Sequence, residues 1–301
     1  MGTETTPLRK SQELWLANLR DRGHSPKTQE VYGQVLGRLS RFLENRGCIR
    51  PTDVTAANLA AWWAELMGRG LSPATLCVYL RAARGWCRWL RNAGEIFLDP
   101  SADLRAPRNP KILPKVPTVG EVEQLLQNID TTGPEGVRDR AILETLYATA
   151  LRREEIARLK TSNVDLEGAS GRVLGKGGRE RVVPLTRVAV FWLSQYLQTA
   201  RISLLHGRRS PELLWLNLRG RPLTGYSLAL IVKRRALAAG LAALTPHSLR
   251  RACATHLLQG GAHPVFVQQL LGHATLRHLA HYLRMTIAEL KATHARSKPG
   301  R

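Results

Sequence analysis

The chain has 301 residues, 44% of them hydrophobic, and contains seven tryptophans, which excludes an intrinsically disordered protein and allows two domains with separate cores. Its formal net charge is +22, and residues 181–301 carry 18 basic side chains against two acidic ones, Glu212 and Glu289. A surface with so few carboxylates repels itself unless a polyanion binds to it, so nucleic acid is the leading candidate partner. Charge alone leaves a generally basic protein open as the alternative.

Cysteine usage and the N-terminus favour a cytoplasmic location. The four cysteines include no CxxC pair, and Cys77, Cys87 and Cys253 lie in helical, mostly apolar patterns typical of buried free thiols. The first ten residues, MGTETTPLRK, lack the apolar run of a signal peptide. Residues 252–276 hold no Asp, Glu, Lys or Arg, but their histidines, glycines and proline would be costly in lipid, which argues against a membrane span.

An internal repeat organises the first hundred residues. RGHSPKTQEVY begins at Arg22 and RGLSPATLCVY begins at Arg69, and the two share seven identical positions. In each copy Ser precedes Pro, which predicts a helix with Ser as its N-cap and Pro in its first turn. Apolar residues continue at helical spacing after each copy, and shorter helices are predicted around Gln12–Asp21 and Thr55–Gly68. We therefore predict an all-α domain of four or five helices over residues 1–99.

The last helix of this predicted domain carries a basic stripe. Arginines recur at positions 81, 84, 88 and 91, on one side of the helix. A solvated helix face is the ordinary interpretation of such a stripe. The charge of the whole chain favours a face that follows phosphate groups.

A proline-rich segment separates this domain from the rest of the chain. Five prolines with interspersed Lys and Arg predict an interdomain linker over residues 100–117, followed by a second domain over residues 118–301. The second domain opens with a helix that has a capping box of Thr118 and Glu121, and a long helical region covers residues 137–159. A short strand and a hairpin, 172–174 with 179–184, follow around the turn GKGG, before further helices. The predicted second domain is mainly helical with a small three-stranded sheet.

Three stretches in this domain carry side chains suited to phosphate chemistry. Arg152 ends an apolar turn, and Glu155 follows three residues later, where it can hold the guanidinium. Lys176 lies at the glycine-flanked tip of the hairpin. His247 and Arg250 share one face in the first turn of a predicted helix, where the N-terminus favours an anion. Taken singly, each has an ordinary alternative: a surface ion pair, an exposed turn lysine, or a solvated helix cap.

The order of the motifs is more specific than any one of them. LYATALR, GKGGRERVVPL, PHSLRRACATHLL, and LGH followed nine residues later by Tyr282, resemble the tyrosine recombinase (phage integrase) family, most closely its Xer-type and transposon- or plasmid-borne branches. The resemblance covers nearly the whole chain, because the N-terminal helices and the linker are similar to the family's SAM-like core-binding domain. It implies a site-specific DNA recombinase that forms a 3′-phosphotyrosine intermediate and a Holliday junction, in integration, excision, transposition or resolution.

The resemblance also implies roles for single residues. The implied catalytic residues are a tyrosine, two arginines, two histidines and a lysine: Tyr282, Arg152, Arg250, His247, His273 and Lys176. The tyrosine would be the nucleophile, and the lysine would protonate the departing 5′-hydroxyl. The arginines would neutralise the non-bridging phosphate oxygens, while the histidines would bind the phosphate and assist proton removal from the tyrosine. Glu155 would support the first arginine.

The same resemblance implies the partners and the cofactor requirement. The expected partners are double-stranded DNA and a homotetramer on two recombination sites, and the need for a second recombinase or an accessory protein stays open. No cofactor and no metal is expected, because two guanidiniums supply the positive charge that a metal would bring. Further DNA contacts are expected from basic residues outside the catalytic set: Arg81, Arg84, Arg88, Arg179 and Arg251.

Four alternatives to this interpretation agree less well with the sequence. His278 and His281 could share a zinc ion with His273 or His294, but no Cys or carboxylate is near in sequence. A DNA-binding protein without catalysis is disfavoured, because every catalytic position holds the expected residue type. A topoisomerase-like enzyme would relax DNA without sequence preference, and a non-specific RNA-binding protein leaves the ordered motifs unexplained.

The chain departs from the family pattern at two places, and its last 19 residues allow two interpretations. Family members usually have Gly where this chain has Ala150, and we expect the alanine to keep the helix. The segment RHLAH precedes Tyr282, where relatives commonly have smaller polar residues. We expect these bulky, basic residues to affect how the tyrosine segment is held before activation more than the chemistry itself. In the last 19 residues, Ile287 and Leu290 predict a short helix that docks on a neighbouring subunit, with a frayed basic terminus as the alternative.

Overall fold

The computed structural model describes residues 5–107, 116–175, 178, 180–241 and 244–272. The chain separates into two compact units, Met1–Leu113 and Pro114–Arg301. Among the described residues, no helix has both the length and the apolar character needed to span a membrane. The predicted fold class is confirmed: an all-α unit is followed by a mainly helical unit with a small antiparallel sheet.

The first unit consists, over residues 5–107, of four α-helices and one short 3-10 turn at Pro51–Asp53. An N-cap hydroxyl starts each α-helix by accepting the N–H three residues on. The first helix begins five residues before the predicted Gln12, because Thr6 and Pro7 provide the same cap signal as the repeat. The helices are α1 Pro7–Asp21, α2 Pro26–Glu44, α3 Ala56–Gly68 and α4 Pro73–Asn92.

The two copies of the repeat adopt the same local structure, as predicted. Ser25 Oγ accepts the N–H of Thr28 at 3.2 Å, and Ser72 Oγ accepts the N–H of Thr75 at 3.2 Å. Each cap fixes the start of a long helix whose apolar stripe enters the core of the unit. At the centre of this core lies Trp86, whose indole N–H donates to Ser11 Oγ at 3.2 Å.

Of the three cysteines predicted to be buried free thiols, Cys87 and Cys253 are buried and the prediction is wrong for Cys77. Cys48, Cys87 and Cys253 are buried, whereas Cys77 on α4 is half-buried. Burial raises the pKa of the Cys87 and Cys253 thiols to about 12, which keeps both thiols protonated near neutral pH.

Helices make up most of the second unit. They surround a core that includes the fully buried pair Tyr196 and Trp215, whose rings stack 5.1 Å apart. A π-helical turn at Tyr196–Ala200 connects α8 with α9. The helices are α5 Val119–Gln127, α6 Pro134–Thr149, α7 Arg153–Ala157, α8 Arg187–Gln195, α9 Arg201–Leu205, α10 Gly225–Ala238, α11 Pro246–Gln259 and α12 Pro264–Leu271.

The sheet of this unit has three antiparallel strands in the order β1-β2-β3. They are β1 Val164–Asp165, β2 Ser170–Leu174 and β3 Glu180–Pro184. The hairpin register pairs Ser170 with Pro184 and Leu174 with Glu180. The predicted hairpin is therefore present, with β2 starting two residues earlier than expected.

The long helical region predicted over residues 137–159 is interrupted in the middle. Helix α6 ends at Thr149, and Ala150 adopts the left-handed conformation with φ of 51°. The expectation that Ala150 keeps the helix is therefore wrong, since this residue ends it. A left-handed alanine costs about 1–2 kcal/mol, which explains a preference for glycine there, whereas burial of the methyl returns roughly 0.8 kcal/mol. The turn makes Arg152 the N-cap of α7 instead of a mid-helix residue.

Candidate active site

A cleft of about 1020 Å³ lies among the α6–α7 turn, the end of β2, α10 and the N-terminus of α11. Four of the residues implied by the motifs, Arg152, Glu155, His247 and Arg250, line it together. Leu174 and Gly175 bring the start of the hairpin turn to its wall. Lys176, His273 and Tyr282 lie outside the described residues, as do His278, His281 and His294 of the zinc alternative.

The lining of this cleft is cationic. Its basic residues outnumber its acidic ones, and the acidic ones, Glu154 and Glu155, both form ion pairs with arginines. A cleft with this lining attracts an anion. The basic side chains are Arg152, Arg153, Arg158, Lys233, His247 and Arg250.

Arg152 is held by Glu155 in a capping box at the start of α7. The carboxylate accepts the backbone N–H of Arg152 at 2.9 Å and its guanidinium Nη1 at 2.7 Å. A second arginine, Arg181 of β3, donates to the same carboxylate through Nη2 at 2.8 Å and Nη1 at 3.2 Å. Glu155 is only 8% exposed, so the ordinary interpretation of a surface ion pair does not hold.

The charge of Glu155 is secured by these contacts. Burial alone would raise its pKa, but hydrogen bonds from Arg181 and from the backbone and side chain of Arg152 outweigh burial and lower the pKa of Glu155 to about 2. The carboxylate is therefore ionised at any pH at which the protein would function. Two guanidiniums therefore share this one carboxylate, and of the two it is that of Arg152 that lines the cleft.

Arg250 lies on α11 at the base of the cleft and is 2% exposed. Its Nη1 donates to the carbonyl of Ala150, and its Nη2 donates to the carbonyl of Leu271 at 2.7 Å. These carbonyls precede Arg152 and His273 by two residues each. Arg250 therefore joins the α6–α7 turn to the end of α12 while presenting a cation to the cleft.

His247 lies at the N-terminus of α11, three residues before Arg250. Burial, followed by the nearby guanidiniums of Arg251, Arg250 and Arg152, lowers the pKa of His247 below its ordinary value. The imidazole is therefore neutral near pH 7, and a neutral imidazole can both donate and accept a hydrogen bond.

The depressed pKa of His247 leads to a testable prediction. In NMR titrations of the histidine rings, we expect His247 to take up its proton below about pH 6.5, the value of an unperturbed histidine. The folded state disfavours the charged imidazole, so this residue leaves stability unchanged above that pH and lowers it as the pH falls further. Arg251→Met should raise the pKa of His247, because it removes the positive charge that lowers this pKa most after burial. An unchanged titration in Arg251→Met would contradict this account of the site's charge.

The predicted DNA-contacting arginines differ in their surroundings. Arg81 and Arg88 are exposed on α4, each with Nε donating to a carbonyl of its own helix at 3.2 Å. Arg84 instead donates to the carbonyl of Leu104, in the segment that follows α4. Arg84 therefore has a structural role within its own unit, which its place in the basic stripe did not indicate. Arg251 is half-buried, and its Nε has no hydrogen-bond partner among the described residues, while Arg179 lies outside them.

Two cationic residues of this region were missed from the sequence. Lys233 on α10 lines the cleft. It belongs to none of the recognised motifs, and a lysine on a helix is usually solvated, so there was no reason in the sequence to select it. Arg181 holds Glu155 from β3, where residues alternate between exposed and buried sides. Arg181 shares the inward side with Val183, and a charged residue at an inward strand position is a signal that could have identified it.

The fold and the cleft define a class of protein: an all-α unit followed by a mainly helical unit whose cationic cleft brings together two arginines, a histidine and a glutamate from distant parts of the chain. A family model described as "Phage integrase, N-terminal SAM-like domain" matches residues 13–94, and one described as "Phage integrase family" matches residues 116–289. Tyrosine recombinase XerD of Pseudomonas aeruginosa is 35% identical over 302 residues, covering 99% of each chain.

Solved structures show the same fold. The XerH site-specific recombinase bound to palindromic difH substrate, in a post-cleavage complex, has a TM-score of 0.75 at 24% identity, covering 91% of this chain and 81% of that one. A lambda integrase tetramer bound to a Holliday junction has a TM-score of 0.67 at 20% identity, covering 89% and 77%. The chain belongs to the phage integrase family and is a tyrosine recombinase, which confirms the family predicted from its motifs.

Proposed function

We propose that this chain cleaves and rejoins double-stranded DNA at specific sites through a covalent bond to Tyr282. The observation that carries the proposal is the convergence of Arg152, Glu155, His247 and Arg250 on one cationic cleft. Family membership supports the reaction class, which is site-specific DNA recombination by the tyrosine recombinase mechanism.

The proposed reaction uses charge instead of a metal. The hydroxyl of Tyr282 attacks the phosphorus, its proton passes to a histidine, and the bond from phosphorus to the 5′-oxygen breaks as Lys176 protonates that oxygen. Negative charge builds on the non-bridging oxygens, and the guanidiniums of Arg152 and Arg250 stabilise it. Rejoining is the reverse: a 5′-hydroxyl attacks the phosphotyrosine and releases the tyrosine.

Neutral His247 fits this reaction in two ways. Its pKa is lowered, so it does not add a third fixed cation beside the arginines. A neutral ring can accept a proton or donate a hydrogen bond to the phosphate, depending on its tautomer. His273 is proposed as the second histidine of the site.

The proposed assembly is a homotetramer on two recombination sites. The lambda integrase tetramer on a Holliday junction supports a multimer of this kind, and the XerH complex supports a DNA substrate. We propose that the exposed Arg81 and Arg88, together with Arg179 and Arg251, contact the phosphate backbone of the DNA. We also propose that the protein acts in the cytoplasm. Reconstitution with and without candidate partner recombinases and accessory proteins tests whether the reaction needs either.

Covalent trapping tests the proposal. The purified 301-residue chain is incubated in EDTA with a library of nicked duplexes that includes the DNA flanking its own gene. A nick beside the cleavage point lets the short fragment that carries the free 5′-hydroxyl leave, which traps the adduct. Adducts that resist detergent are isolated and their ends sequenced. We expect adducts at one defined sequence, and none with Tyr282→Phe.

The control is binding of the same DNA. Tyr282→Phe should bind the recovered duplex as tightly as the unaltered protein, since only one hydroxyl is removed. Adducts that persist in Tyr282→Phe, or adducts spread evenly over unrelated sequences, would contradict the proposal.

A further inference from the structure

Arg181 of β3 makes three directed hydrogen bonds from one guanidinium. Two go to the carboxylate of Glu155, at 2.8 and 3.2 Å, and Nε donates to the carbonyl of Leu270 at 3.2 Å. The side chain is 15% exposed and the Glu155 side chain 7%. A charge-assisted, two-pronged contact at this depth orients both partners.

The contacts of Arg181 link three segments that lie far apart in sequence. Arg181 itself follows the β2–β3 turn, Glu155 holds Arg152 at the start of α7, and Leu270 lies near the end of α12. Each segment carries or directly precedes a residue of the proposed catalytic set. The Arg181 side chain does not line the cleft, so it acts on that set through its partners.

Close packing around Gly272 shows how tightly this guanidinium is enclosed. Gly272 has φ of 60°, and a Cβ at this position would lie 3.1 Å from Arg181 Cζ and Nη1. The glycine therefore serves two needs, the left-handed end of α12 and room for the guanidinium. A lysine in place of Arg181 would present one ammonium group where three planar donors are used.

We propose that Arg181 is a positioning residue of the recombination reaction: through Glu155 it fixes the guanidinium of Arg152 against the scissile phosphate. Without Arg181, Glu155 keeps a single arginine and Arg152 loses a fixed orientation. This inference rests on the proposed function, because Arg152 stabilises charge on the phosphate only if the chain cleaves DNA as proposed. It predicts that Arg181 matters only where the phosphate carries a charge to neutralise.

The test compares two substrates at the cleavage position recovered by trapping. One is the ordinary phosphodiester, and the other is a methylphosphonate, in which a methyl group replaces a charged non-bridging oxygen. Single-turnover adduct formation is measured for the unaltered protein, Arg181→Met and Arg181→Lys. The matched control is Arg172→Met, which removes an arginine from the exposed side of the neighbouring strand, opposite Val182.

We expect Arg181→Met to slow cleavage of the phosphodiester roughly 10- to 100-fold, because misplacement of a catalytic group by about 1 Å can cost about 100-fold. On the methylphosphonate its rate should stay within about threefold of the unaltered protein, since neutral phosphonate needs less help from Arg152. Arg181→Lys should resemble Arg181→Met, and Arg172→Met should cleave both substrates like the unaltered protein.

Two outcomes would overturn the inference. Equal losses on both substrates would mean that Arg181 only stabilises the fold, and undiminished cleavage of the phosphodiester would mean that Arg152 does not depend on it. In both outcomes the unaltered protein still forms adducts. If the proposed function is wrong, the unaltered protein forms none, so the two failures are distinguishable.

Discussion

Arg250→Lys is expected to lower the rate of DNA cleavage by roughly 10²–10³-fold while leaving DNA binding largely intact. The guanidinium of Arg250 lines the cleft and at the same time donates to the carbonyls of Ala150 and Leu271. A lysine has one ammonium group on a flexible stem and cannot hold both carbonyls and an anion in a fixed geometry. Charge is conserved in this variant, so the loss reports geometry.

The chain offers a matched control for this substitution. Arg201 is also a buried arginine, 6% exposed, and it donates to the carbonyls of Pro211, Leu213 and Leu214, at 2.8, 3.1 and 3.0 Å. It does not line the cleft. Arg201→Lys should therefore destabilise the protein without lowering cleavage per folded molecule. Equal cleavage by Arg250→Lys and Arg201→Lys, at a temperature where both are folded, would refute the role given to Arg250.

Asp139→Asn is expected to destabilise the second unit by about 3–5 kcal/mol, the usual cost of breaking a buried ion pair. Asp139 on α6 is completely buried, and its two oxygens accept from three arginines. Oδ1 accepts from Arg138 at 2.9 and 2.6 Å, and Oδ2 accepts from Arg234 at 3.0 Å and Arg235 at 2.8 Å. After the substitution, Glu135 still contacts two of these guanidiniums, those of Arg138 and Arg234.

Chemical denaturation followed by circular dichroism measures this loss. The control is Glu167→Gln, which neutralises an exposed carboxylate in the same unit and should change the free energy of unfolding by less than about 0.5 kcal/mol. A loss below about 1 kcal/mol in Asp139→Asn would show that the cluster contributes little and that α6 and α10 are held by apolar packing.

Local sequence signals predicted most of the elements that form the site. Caps at Ser25, Ser72 and Thr118 depend on neighbouring residues alone, and each was correctly read from the sequence. Arg152 and His247 line the same cleft although they are far apart in sequence. This could be predicted because the order of the motifs identifies a family, and the family's fold brings these positions together.

The features that were missed depend on distant partners or on backbone conformation. The Asp139 cluster joins residues 95 and 96 positions apart, and Arg181 contacts Glu155 across 26 positions, so local patterns do not identify the partner in either contact. Ala150 ends a helix although alanine favours helices, because the tertiary contact from Arg250 to its carbonyl holds the turn. Arg84 looked like a member of a solvent-facing stripe, since the carbonyl that it binds follows the helix by many residues.

Mass spectrometry of the trapped adduct tests the central claim most directly. The adduct is digested with nuclease and protease, and the nucleotide-bearing peptide is sequenced by fragmentation. We predict a nucleotide attached by its 3′-phosphate to Tyr282, with a free 5′-hydroxyl on the released strand. A nucleotide on any other residue, or a 5′-phosphate link to Tyr282, would contradict the account.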